Sequence, residues 1–435
     1  MYLAFLGYLL IIVMMIGLLK NKLTPVVAFV VLPVVFGLLA GFSPSEIGGF
    51  AKEGVPKTLS ATALALFATA YFAIMTDEGL FDPIVSWLSK KAGGNVVAIM
   101  LITVFIAAIS HMDTGMTSTI LVTIPAMLPL YRKFKIKPEY LFLLMAQSIG
   151  VVNLLPHGGG MIRMSSVSGL EISQMFRTVA PVIALMLVYN LGCAIVFGRR
   201  EQRRIAAGVD EATYGEAENK EVVFKDVKIG VRYWLNLAVT ALLLTLMFEG
   251  SLPGYFVFMI GLSLALLINY RTPKEQVAKI KYVAEKAYPI ALVMLASGVL
   301  VGVMSGTGML AEMANVIVSL IPESFRRFYG VIVGVISIPL SFSLGADGFY
   351  YGLSPLFLEV CTSYGFSALS LASIMMLARD AVGCITPVSP VTYLAPGLLG
   401  KDLTVFIKFC LKYLLLYFAI ELVLCILLGI LPIVV

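Results

Sequence analysis

Two carboxylates stand in small, polar, glycine-containing interruptions of otherwise apolar sequence. Asp113 lies in Ser110–Thr119 (SHMDTGMTST) and Asp347 in Ser341–Gly352 (SFSLGADGFYYG). Two further interruptions are rich in proline and glycine: Asn153–Arg163 (NLLPHGGGMIR) and Cys384–Tyr393 (CITPVSPVTY). Charge at membrane depth costs about 2.5–3.5 kcal/mol even on a lenient insertion scale, so a carboxylate there implies a task. Carboxylate oxygens are what Mg²⁺ or Ca²⁺ requires, and they also carry protons. The competing reading is a carboxylate merely solvated in an aqueous loop. Arg163 has the planar fork that holds a carboxylate bidentately, against the alternative of an arginine snorkelling to the interface. His157 lies inside its break and suits a substrate contact or proton relay, whereas a histidine standing alone is usually structural. Asn153, Thr386, Ser389 and Thr392 offer neutral donors and acceptors for a carboxylate or a cation. Asp380 suits a coupling proton or a structural ion pair. Because Arg379 and Asp380 are adjacent, helical geometry points them apart, so each is expected to find another partner.

Unwound backbone survives at membrane depth only where it lines a cavity or is buried in protein. A half-helix starting at such a break turns free N–H groups and a positive dipole end toward a bound anion. Four breaks at matching places in two halves therefore predict a solute site and the elements that must hold it.

Those elements are membrane helices. Of 435 residues 60% are hydrophobic and 13% charged, against roughly 25% charged in soluble domains, and mean hydropathy is +0.98. Runs such as Val26–Ala40, Ile183–Phe197 and Leu414–Val435 are nearly free of charge, and with their flanks several reach the ~20 residues that cross a ~30 Å hydrocarbon core. Met1–Leu19 lacks a basic start and a small-residue cleavage site, so it is expected to be a first span rather than a signal sequence. The net charge of +6 comes from basic residues in short loops, which fixes orientation and gives no reason to expect nucleic acid. Five scattered cysteines without a CxxC pair predict free thiols. HExxH, GxSxG and GxxxxGK[ST] are absent, which argues against an intramembrane hydrolase and against ATP as the driving force; no enzyme activity is expected.

The polar stretch Arg199–Lys228 cuts the chain into similar halves. Pro125 and Pro156 are 31 residues apart, Pro355 and Pro387 are 32 apart, and Pro156–Gly169 and Pro387–Gly400 both span 13. Five crossings per half plus one hairpin would invert the second half relative to the first, a transporter signature. The expected organisation is a first repeat over 1–198, with a re-entrant hairpin at 95–131 and a broken helix at 138–168. A cytoplasmic linker follows at 199–229. The second repeat covers 230–435, with a hairpin at 328–360 and a broken helix at 367–400. The arms Asn95–Ser110 and Met116–Tyr131 would be only ~24 Å long as helices, short for a full crossing. The fold class expected is an all-α polytopic membrane protein of about ten transmembrane helices plus two re-entrant hairpins.

The stretches MDTGMTSTILVTIPAMLPLYRKFKIKP, VVNLLPHGGGMIR with SGLEISQMFRTVAPV, and SLGADGFYYGLSPLFLEV with CITPVSPVTYLAPGLLGKDL resemble the citrate–metal–proton symporter family of the ion transporter superfamily. The resemblance spans nearly the whole chain and is most specific at the four breaks. It implies a homodimer in the inner membrane, with a fixed scaffold domain and a transport domain moving as an elevator. It implies symport of citrate with a divalent cation and protons, and no permanently bound cofactor; Mg²⁺ or Ca²⁺ would travel with the substrate and H⁺ or Na⁺ would couple. The alternative is a proton- or sodium-coupled carrier of a simple di- or monocarboxylate without metal. The hairpin-tip motif maps onto Asp113, Thr114 and Gly115, with Thr117 just beyond, and onto Gly345, Ala346, Asp347 and Gly348. The helix-break motif maps onto Leu155, Pro156, Gly158, Gly159 and Arg163, and onto Ser389, Pro390, Thr392 and Tyr393. The sequence departs from that pattern at His157, where a tryptophan is expected, at Thr114, where a glycine is, and at Arg379–Asp380, which replaces an amide pair.

Overall fold

In a computed structural model, residues 1–20, 22–91, 94–209, 229–320 and 322–432 are described. The acidic part of the expected linker, Asp210 to Glu218, lies outside them. Among the described residues every regular element is helical. The first half contains α1 (Tyr2–Leu19), α2 (Pro25–Leu39), α3 (Pro44–Asp77), α4 (Asp82–Lys91), α5 (Val96–Ser110), α6 (Met116–Lys133), α7 (Pro138–Asn153), α8 (Gly159–Ser168) and α9 (Ile172–Ala206). The second contains α10 (Val231–Glu249), α11 (Gly254–Asn269), α12 (Pro273–Gly306), α13 (Met309–Leu320), α14 (Glu323–Arg326), α15 (Tyr329–Asp347), α16 (Ser354–Ser363), α17 (Ala368–Val382), α18 (Leu394–Leu399) and α19 (Leu403–Leu427). Eight helical units among the described residues are long and apolar enough to cross a membrane, and four shorter apolar helices accompany them.

Helix starts follow local chemistry. Ser43 and Glu46 close a capping box at the head of α3, as Thr272 and Glu275 do at α12, satisfying N–H groups that a helix start leaves free. Between these two 34-residue helices, glycine sets the packing distance. A Cβ at Gly302 would sit 2.5 Å from the Phe50 carbonyl oxygen and 2.9 Å from the Gly54 Cα, and one at Gly298 would sit 2.8 Å from the Val55 Cα. The GxxxG spacing of Gly298, Gly302 and Gly306 thus lets α12 lie directly on α3.

The helices pack as two groups. One joins α1, α2, α3 and α10–α13, and the other joins α5–α9 with α15–α19. They meet where α8 lies against α3 and α12, and where α16 lies against α13. Within the second group, α7–α8 and α17–α18 run antiparallel. Glu139 at the start of α7 pairs with Lys401 just past α18 at 2.6 Å, while Ser168 at the end of α8 and Ala368 at the start of α17 line one cavity of about 200 Å³. This brings the two proline-containing breaks to the middle of the bundle from opposite directions.

Candidate substrate and ion site

Each break interrupts a helix for a reason visible in its residues. α7 ends at Asn153, and the Leu155 carbonyl accepts from the Gly158 N–H at 2.7 Å to close the turn over Pro156. A Cβ at Gly158 would collide with the Asn153 carbonyl, so only glycine fits there. α8 begins at Gly159 with no side chain capping its first N–H groups. α15 is bent at Gly345, whose φ of 67° and ψ of −175° suit glycine alone, and the chain continues through a wide π-turn over Gly348–Leu353. α17 passes through a short 3₁₀ turn, Gly383–Ile385, and a turn at Pro387–Val388 flanked by extended Thr386 and Ser389, ahead of a second 3₁₀ turn at Pro390–Tyr393.

The breaks converge on a line of charge. Arg163, one turn into α8, donates through Nε to Asp347 Oδ1 at 3.1 Å and through Nη1 to the Gly159 carbonyl at 3.1 Å. The two side chains remain 27% and 34% exposed, so the pair borders accessible space. Asp380 is 2% exposed. Its Oδ1 accepts from Arg379 Nη1 at 2.7 Å, while Oδ2 is buried without a partner. A Cβ at Gly160 would run into that Oδ2 and stand 3.0 Å from the hydroxyl of Tyr350, itself buried and unpartnered. The uncapped start of α8, a free carboxylate oxygen and a free phenol therefore share one point. Contrary to the expectation from helical spacing, Arg379 and Asp380 pair with each other. The long arginine side chain folds back onto its neighbour, since neither charge can stay unpaired in the bundle.

At the first hairpin tip, Asp113 Oδ1 accepts from the Gly115 N–H at 2.8 Å. Thr114 stands in the left-handed region at φ 57°, a conformation that is costly for a β-branched residue. His111 is buried, with Nδ1 2.7 Å from Thr119 Oγ1 and Nε2 3.2 Å from Asn153 Oδ1. It ties the tip to the end of α7. Thr386 Oγ1 does the corresponding work in the second half, donating to the Phe342 carbonyl at 2.6 Å.

Not every expected site residue joins this cluster. His157 is buried and stacked on Phe72 of α3 at 4.9 Å between ring centroids, with Phe258 of α11 at 6.1 Å. It faces the first helix group. Thr117 is exposed on the first turn of α6, and Ser389 is half-buried. Thr392 is buried with an unpartnered hydroxyl, and Pro156 is buried beneath α8. Pro390 opens the second turn. A cavity of about 400 Å³ reaches Pro156 from Lys57, Ser60, Ser165 and Glu171, at the seam between the helix groups. Arg163, Asp347 and Asp380 are not part of its lining. Tyr350 and Thr119 join the cluster without having been expected from the sequence. Tyr350 had a signal, a polar ring in the interruption that also carries Asp347.

Comparison with known proteins places the chain in a family. The citrate transporter family matches over residues 6–378. The "Citrate transporter" of Bacillus subtilis (strain 168) is 30% identical over 411 residues, covering 94% of this chain and 95% of that protein. The "Mg(2+)/citrate complex secondary transporter" of the same organism is 29% identical over 427 residues, 98% of each chain. The crystal structure of the YdaH transporter of Alcanivorax borkumensis superposes with a TM-score of 0.60 over 90% of this chain and 88% of that one, at 14% identity, a likeness of fold. With these matches and its run of apolar helices, the chain belongs to the citrate transporter family, as a multi-pass protein of the plasma membrane.

Proposed function

We propose that this protein is a secondary active symporter of citrate, carried as a complex with a divalent metal and coupled to protons. The observation that carries the reading is the Arg163–Asp347 pair, which joins the break of one half to the hairpin of the other beside the uncapped start of α8. A partly exposed ion pair is worth about 0–1 kcal/mol, so an incoming carboxylate can displace it. A citrate carboxylate takes the Arg163 guanidinium and the free N–H groups of Gly159 and Gly160. Asp347, released, turns to the metal that citrate brings, and Asp113 supplies an oxygen from the other hairpin tip. Anion and metal thus bind together, because each frees or neutralises what the other needs. The neutral groups of Ser389 and Thr392 receive a second carboxylate, and Asp380 is the candidate proton carrier nearest the substrate.

The same reading assigns movement. The group of α5–α9 with α15–α19 carries the site as an elevator past α1–α3 and α10–α13, in a homodimer, with the two halves as inverted repeats. What supports this is the antiparallel run of α7–α8 and α17–α18 and the division of the helices into two groups that meet chiefly at α8 and α16. Support for the metal is the relative that transports a Mg²⁺–citrate complex. The relatives are transporters, which accords with transport in place of catalysis.

The test is uptake of labelled citrate into proteoliposomes under an imposed pH gradient, with and without Mg²⁺, Ca²⁺ or a heavier divalent ion. Uptake that needs both the metal and the gradient is expected. Uptake of a simple dicarboxylate without metal would favour the alternative carrier.

A further inference from the structure

Glu421 lies in the C-terminal half of α19 and is 1% exposed. Its Oε2 is buried with no hydrogen-bond partner, and among the described residues no ion pair reaches the carboxyl. One turn earlier on the same face, Tyr417 is also 1% exposed, with an unpartnered hydroxyl. On α9, which packs against α19, Tyr189 meets the Tyr417 ring edge-on at 5.8 Å between centroids. Natural interiors rarely leave one such group, so a carboxyl and a phenol unpartnered one turn apart mark a place built for an occupant.

The surroundings identify that occupant. α19 packs against α7, α9, α17 and the Gly383–Ile385 turn. From α17 the charged group in electrostatic reach of Glu421 is Asp380, a like charge whose own partner is Arg379. α9 contributes Tyr189 and Cys193, which lie near Tyr417, and α19 itself adds Tyr417 and Cys425. The turn contributes Cys384, near Asp380. From α7 comes the neutral Gln147, near Cys193, while the one carboxylate of that helix, Glu139, is paired with Lys401. No cation faces Glu421 among the described residues, and no cluster there has three metal-ligating side chains. An ionised carboxylate would stand bare in a low-dielectric interior beside another acid. A proton needs one oxygen and no ligand shell, and it removes the charge.

We infer that Glu421 is a buried proton-binding site behind the substrate site, and that it holds a proton moved with the substrate. A proton from water on the loading side forms the O–H bond of the Glu421 carboxylic acid, in parallel with substrate binding. After the carrier turns, that O–H bond breaks and the proton passes to water on the other side, its electron pair remaining on the carboxylate. Tyr417 stands on the route. A Cβ at Gly150 would lie 3.1 Å from the Asp380 carbonyl oxygen and 3.9 Å from the Tyr417 hydroxyl, so both flank one point on α7. Tyr417 accepts one proton and releases its own, with no net change. Asp380 Oδ2 faces the start of α8, so the charge of a bound substrate is felt from Asp380 to Glu421.

The inference rests on the proton-coupled reading above, and the test separates the two. Infrared spectroscopy of purified protein at neutral pH, without substrate, reads the carbonyl band of protonated carboxylic acids. Glu421→Gln should remove one such band, and Glu421→Asp, which keeps the acid but shortens it, should shift it. In proteoliposomes, Glu421→Gln should lose accumulation of citrate driven by a pH gradient, yet retain exchange of labelled for unlabelled citrate. A band unchanged in Glu421→Gln, or unmoved in Glu421→Asp should the Gln variant not survive purification, overturns the site. So does gradient-driven accumulation equal to wild type in Glu421→Gln. A wild type indifferent to the pH gradient contradicts the coupling reading itself, and the infrared arm then judges Glu421 alone, since it uses no substrate.

Discussion

At the scale of single residues, the proposed binding turns on Arg163 and Asp347. Arg163→Lys keeps the charge but loses the planar fork, which is not a conservative exchange where a carboxylate is gripped. Losing one charge-assisted hydrogen bond costs about 1.5–3 kcal/mol, or roughly 10- to 150-fold in affinity. Calorimetry should show citrate binding weakened by that order, with thermal stability of the empty protein unchanged. Asp347→Asn should abolish the metal dependence of uptake while the protein stays folded, since the carboxylate is a third exposed and its loss leaves no buried hole. Uptake with wild-type metal dependence would make Asp347 a structural partner of Arg163 only. Thr114 gives a different kind of test. A β-branched residue at φ 57° costs about 1–2 kcal/mol, and the added freedom of a glycine in the unfolded chain takes back about 0.5–1. Thr114→Gly should therefore leave thermal stability unchanged or raise it by up to about 1.5 kcal/mol, measured by thermal unfolding in detergent. A clear loss would contradict the left-handed backbone. Asp113 and Asp347 were legible as candidates because a carboxylate inside an apolar stretch has few innocent explanations. Glu421 carried the same signal, one acid in an otherwise uncharged stretch of the last helix, but no proline or glycine beside it announced a break. The Arg379–Asp380 pair was illegible because periodicity describes Cβ directions and ignores how far a long side chain can fold back.

At the scale of elements, glycine and proline did most of the signalling. The turn after Asn153 and the bend at Gly345 follow from residues whose backbone preferences are local, so a single sequence exposes them. The seam of α3 and α12 follows from Gly298, Gly302 and Gly306, a spacing readable only once the partner helix is known. Gly302→Ala should push the helices apart and destabilise the protein by about 1–3 kcal/mol, seen as a lowered unfolding temperature. An unchanged unfolding temperature would mean that the contact with Phe50 and Gly54 relaxes freely. The place of His157 was not legible. Its stacking on Phe72 and Phe258 depends on a helix from each half meeting at α8, which no local pattern encodes.

At the scale of the whole molecule, the proposed inverted relation of the halves makes a topological prediction. With basic loops on the cytoplasmic side and an odd number of crossings per half, as proposed, Ser43 should lie outside, and Arg200 and Asp402 inside. The native cysteines among the described residues are all buried, so an impermeant thiol reagent has little background. Ser43→Cys should label only from the outer face, and Arg200→Cys and Asp402→Cys only from the inner. Labelling of Asp402→Cys from outside would break the inverted arrangement. The central claim, that solute and metal travel as one complex through the Arg163–Asp347 site, is tested most directly by flux stoichiometry. Radiolabelled citrate and a radiolabelled divalent ion are followed together into the same proteoliposomes. The account predicts that the two enter in equal amounts, and that removing the metal abolishes citrate entry. Citrate that accumulates at full rate with no accompanying metal would contradict it.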